Sequence, residues 1–81
     1  MSKQKIVKLE RCTLAYNRYS KDQNIKVQLL TFYENKELAH IWLPKAAMSE
    51  PYAKLMTIIK FRFRKEFGYT FNHHTYLTDN V

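Results

Sequence analysis

The sequence predicts an α+β domain: a small antiparallel sheet in the order β-β-β-α-β, with one amphipathic helix packed on one face. Three observations predict it. Apolar residues alternate with polar ones through the first half, the period of half-buried strands. One apolar stripe at helical spacing occupies residues 49–67. Alternation then returns after Gly68, the only glycine of the chain. At 81 residues there is length for a single domain, 1–81, and for one core. The 46% apolar and 15% aromatic content exceeds that of a disordered tail.

The first strand spans about residues 5–16, in two phases: Val7 and Leu9, then Cys12, Leu14 and Tyr16. The slip between them falls at Glu10-Arg11, as a bulge would cause. Residues 17–24 are polar and turn-forming. In the second strand, 25–33, Ile25, Val27, Leu29, Thr31 and Tyr33 share one face, and Lys26, Gln28, Leu30 and Phe32 share the other. Residues 34–37 break the run, with Asn35 suited to a left-handed turn. The third strand, 38–43, sets Ala39, Ile41 and Leu43 opposite Leu38, His40 and Trp42, and Pro44 ends it.

The helix, about 49–67, takes Ser49 as N-cap, with Glu50 and Pro51 in its first turn. Tyr52, Leu55, Met56, Ile59, Phe63 and Phe67 fall within a stripe roughly 120° wide. Met56, Ile59 and Phe63 should meet Val27, Leu29 or Ile41 of the sheet. Gly68 suits the left-handed C′ position, and Arg64 and Lys65 complement the dipole. A rival reading makes residues 59–64 a strand, since Ile59 to Arg64 also alternates. The longer stripe and both end signals favour the helix. The final strand, 69–77, places Tyr69, Phe71, His73, Thr75 and Leu77 on one side.

Charge narrows the function. Fourteen Lys and Arg oppose seven Asp and Glu, a net +7. Residues 1–26 carry seven cations against Glu10 and Asp22, a local +5; residues 54–65 carry Lys54, Lys60, Arg62, Arg64 and Lys65 with no acid, another +5. A small chain of this kind points to a polyanion or to an acidic protein surface. Cys12 cannot form an internal disulfide and reads as a small core residue. No apolar run has signal-peptide or membrane-span length, so no membrane partner is expected and a reducing cytoplasm is the default compartment.

The sharpest feature is the helix side opposite the core stripe. Lys54, Phe61 and Lys65 gather there, with Ile58 beside them and Arg64 on one flank. Long cations neutralise phosphates while the ring supplies an apolar anchor. The expected binding set is Lys54, Lys60, Phe61, Arg62, Arg64 and Lys65, joined by Arg11, Arg18 and Lys26. On the sheet's free face, some set of Lys8, Arg11, Lys26 and Gln28 is expected. The first expectation is therefore a non-enzymatic module that binds nucleic acid through phosphate contacts. The alternative is a protein–protein inhibitor or adaptor, of the kind encoded by phages or mobile elements, that occupies an acidic or nucleic-acid-binding surface of a larger machine.

Enzyme readings are weaker. A small ribonuclease would use His73 or His74 as general base with Arg62 or Lys60 stabilising the transition state, yet no acid/base pair with meaningful spacing accompanies them. His73 and His74 are adjacent, so on a strand they face opposite ways. With no Cys-x-x-Cys spacing and a single glycine, neither a metal, a phosphate loop nor a cofactor is expected. The oligomeric state is open, a homodimer included.

Overall fold

Strand alternation puts Ile25, Val27 and Leu29 on one side of the chain. In the computed structural model, which describes residues 7–72 and 75–79, that side is buried. It belongs to β3 (Asn24–Thr31), which pairs antiparallel with β2 (Cys12–Tyr16) and β4 (Glu37–Pro44). Leu14 opposes Leu29, and Val27 opposes Ile41, so one face presents a continuous apolar surface. The helix α1 (Tyr52–Phe67) lays Leu55, Met56, Ile59 and Phe63 onto this surface in a core shared with Cys12, Leu14, Val27, Leu29 and Ile41. The expected α+β class and the core register are both present. Residues 59–64 are helical, and the strand alternative is discarded.

The sheet is mixed, not antiparallel. β6 (Tyr76–Asp79) lies parallel to β2 in the order β4-β3-β2-β6. The first expected strand divides into β1 (Val7–Leu9) and β2, and the last into β5 (Tyr69–Phe71) and β6. β1 and β5 pair parallel as a separate two-stranded sheet beside the helix C-terminus, where the Val7 amide donates to the Gly68 carbonyl at 2.7 Å. The two ends of the described chain thus run side by side, interrupted at the same level. Leu9 opposes Phe71 before the break, and Thr13 opposes Tyr76 after it. On the first strand the break is Arg11, in the left-handed region at φ 52°. The phase slip at Glu10-Arg11 is a switch from one sheet to another.

The helix begins later than expected. Proline forces the preceding residue to be extended, and Glu50 accordingly sits at φ −68°, ψ 154°. Ser49 therefore closes a 3₁₀ turn (Lys45–Ser49), and Pro51 occupies the α1 N-cap with no side-chain bond. The C-terminus matches expectation: Gly68 is left-handed at φ 78°, and its amide donates to the Arg64 carbonyl at 3.0 Å. Tyr52 and Phe67, at the stripe's ends, are exposed. Tyr52 Oη accepts from the Leu77 amide at 3.3 Å, and Phe67 stacks on Tyr69. β3 ends at Thr31, so Phe32 and Tyr33 belong to the turn, where Asn35 has φ 52°. His73 and His74, and with them the final strand's His73 position, lie outside the described residues.

Candidate functional site

Two residues turn a helix by about 200°, so Phe61 points away from the core that Phe63 enters. Its ring is 61% exposed. Lys54 and Lys65 stand one turn or two along the same stripe, and Thr57 and Arg64 flank it; all four are exposed. Ile58 is half-buried against the core and borders the stripe. The sequence-predicted helix face is therefore assembled. Its charge is lower than the run 54–65 suggests, because acids just outside it fold back one turn. Lys54 pairs with Glu50 at 3.3 Å, and Arg62 with Glu66 at 3.2 Å. Among the described residues, Lys60, Arg64 and Lys65 have no acidic partner within salt-bridge distance.

Arg11, Arg18 and Lys26 do not join this face or one another. Arg18 lies in the β2–β3 turn, its guanidinium over the Tyr19 ring at 4.8 Å and donating to Tyr19 Oη. Arg11 lies at the opposite end of β2, where its Nη1 donates to Tyr33 Oη at 2.6 Å. Lys26 projects from the middle of β3 on the sheet face away from α1. Lys8 is exposed on β1, which the β1–β5 pairing brings beside the helix C-terminus. The expected free-face set thus reduces to Lys26 and Gln28.

That sheet face carries its own cluster around Glu37. Its Oε1 accepts from Gln28 Nε2 at 2.8 Å and meets Lys26 Nζ at 3.5 Å, while Oε2 lies 3.2 Å from His40 Nδ1. The Gln28 hydrogen bond, opposed by partial desolvation and aided by His40 and Lys26, holds the Glu37 carboxyl below its usual range. Trp42, half exposed, sets its ring edge-on to His40, and Leu38 and Tyr76 are exposed on the same side. Lys26 and Gln28 belong to the expected free-face set; Glu37 and His40, which complete the cluster, do not. The hairpin register, with Gln28 opposite His40 and Lys26 opposite Trp42, is the signal that would have found them.

Buried chemistry is sparse. Cys12 Sγ sits 3.5 Å from Thr75 Oγ1, both buried, as a core contact. Among the described residues no group of His, Cys, Asp and Glu is arranged to hold a metal ion, and no helix is long and apolar enough to cross a membrane. Comparison with protein-family models, curated proteins and solved structures finds no match.

Proposed function

We propose that this chain is a non-enzymatic module that binds nucleic acid through phosphate contacts on the outward face of α1. The observation that carries the reading is Phe61. Its ring is 61% exposed on the helix side away from the core, on one stripe with Lys54 and Lys65 and flanked by Arg64. Cations that lack acidic partners are available for phosphate, and an apolar ring among them gains from contact with sugar or base. Lys60 on the flank and Lys8 beside the helix end extend the positive surface.

An electrophoretic shift at two salt concentrations tests it. With about four to six phosphates neutralised, affinity should fall roughly 10²–10³-fold between ~50 and ~200 mM salt. A flat response, or no shift with DNA or RNA at low salt, removes the reading.

A second reading has its own observation. The sheet face opposite α1 is uncovered among the described residues and exposes Trp42, Leu38 and Tyr76 around the Glu37 cluster. Aromatic anchors set among polar groups are the composition of protein interfaces. This supports the alternative of an inhibitor or adaptor, and it gains if nucleic acid fails to bind.

A further inference from the structure

Arg11 occupies a position that glycine would fill without strain. Its φ of 52° is where the chain leaves the β1–β5 sheet and enters the β2–β3 sheet. Such a conformation is strained for a residue with a Cβ. The Arg11 guanidinium donates to Tyr33 Oη, and Tyr33 in turn packs edge-on against Phe32, ring centres 4.9 Å apart. A cleft of about 480 Å³ opens against Arg11, Glu10, Phe32, Tyr33 and Leu38, and an adjoining one runs past Arg11 and Phe32 to Tyr76. The first is within the size range of small-ligand sites, roughly 300–1,000 Å³.

The chemistry of the walls is mixed in an informative way. Phe32, Tyr33 and Tyr76 offer exposed ring surface. Arg11 keeps N–H groups beyond the one given to Tyr33, since a guanidinium has five. Glu10, exposed beside it, supplies acceptors only. Flat faces together with donors and an acceptor match a heteroaromatic ring with amino and carbonyl edges. Two carboxylates at the rim, Glu10 and Glu34, oppose a bare phosphate. The corner is also tied to the cationic surface: the three residues of β5 separate Gly68 from Asn72, about 13 Å at strand rise. Lys8 lies between them on the paired β1.

We propose that the Arg11 corner receives one unpaired nucleobase, with Phe32, which lines both clefts, stacking on its face and Arg11 and Glu10 hydrogen-bonding its edge. The inference rests on the nucleic-acid reading, and it makes single-stranded nucleic acid the substrate class. The phosphates on either side of that base track toward Lys8 and the helix C-terminus.

The test compares a labelled thymidine oligomer about twelve nucleotides long, within the ~4–16-nucleotide sites of single-strand binders, with an abasic oligomer of equal length. Charge is the same in both, so the ratio of affinities reads the base alone. By fluorescence anisotropy the thymidine oligomer should bind about tenfold or more tightly. Arg11→Gly should lower the ratio severalfold while melting no lower than wild type, because it relieves the positive φ. Phe32→Ser, an exposed turn position, should lower the ratio too and serves if Arg11→Gly fails to fold. Lys65→Glu should weaken both oligomers alike and leave the ratio intact. Equal wild-type affinity for the two oligomers, or an unchanged ratio in folded Arg11→Gly or Phe32→Ser, overturns the base pocket and spares the phosphate reading. No binding to either at low salt overturns the base pocket; the same result with duplex DNA and with RNA overturns the phosphate reading as well and favours a protein partner.

Discussion

Phe61 and Phe63 stand two residues apart on α1 and have opposite environments. One ring is 61% exposed among cations; the other is 0% exposed, 5.8 Å from the Phe71 ring and inside the cluster that joins helix to sheet. The residue type is the same, so its role follows from the helical phase alone. The inner side carries Leu55, Met56, Ile59 and Phe63 with no charge, and it determines whether the domain folds. The outer side carries Lys54, Phe61, Arg64 and Lys65, all exposed. Burial and exposure therefore separate on a single element, which makes the proposed division between folding and binding open to direct attack.

The largest effect is expected inside. Phe63→Ala should cost ~3–5 kcal/mol, a substantial share of the ~5–15 kcal/mol that small domains have. Thermal or urea unfolding measures it, and a variant melting with wild type would mean that the two sides are not distinct. Next comes the outer charge. Lys54→Glu with Lys65→Glu lowers net charge from +7 to +3, each reversal removing two, and should abolish nucleic-acid binding in the shift assay with the melting temperature almost unmoved. Lys21→Glu with Lys36→Glu makes the same change in strand turns. Equal loss there would replace a site by general electrostatics.

Phe61→Ala sharpens the comparison further. Folding should change by under about 1 kcal/mol, as for exposed positions, while affinity at moderate salt falls about tenfold if the ring stacks. An affinity equal to wild type would leave the face purely cationic. The smallest effect belongs to the sheet's outer side. The Glu37 carboxyl titrates below its usual range, so its contribution is complete above the ordinary Glu value and lost as pH falls through the lower folded one. Its side chain is 35% exposed, which limits the contribution to under about 1 kcal/mol. Melting temperatures of wild type and Glu37→Gln should differ slightly near neutral pH and converge in acid. A difference that widens in acid would contradict the sign.

Much of this was legible beforehand. Burial of Ile25, Val27 and Leu29, exposure of Phe61, and the left-handed Gly68 and Asn35 each follow from spacing or side-chain size within one segment. The helix start was misread because Pro51 acts on Glu50 before it, a rule that outweighs a good cap at Ser49. The charge of the helix face was overread because Glu50 and Glu66 lie outside the run they neutralise. Of the cations expected to cooperate, Lys54, Arg64 and Lys65 share the outward side of α1 and Lys60 and Arg62 fall on its opposite flanks, while Arg11 and Arg18 separated to opposite ends of β2 and Lys26 turned to the far face. Linear proximity to a basic block carries no information about which end of a strand a residue occupies.

The residues alone specify what depends on neighbours a few positions away: period, phase, turn geometry and the charge of each face. They place a core stripe on α1 and an apolar side on β3 because side chains at i, i+4 or i, i+2 must share an environment. Tertiary structure decided which segments meet. The parallel pairing of β1 with β5 and β2 with β6 joins residues about sixty apart, as the Cys12–Thr75 contact at a separation of 63 illustrates. Strand direction and partner leave no periodic trace, since a parallel and an antiparallel strand alternate alike. The sheet switch at Arg11, the cleft beside it and the meeting of Arg11 with Tyr33 exist only once those distant segments have docked.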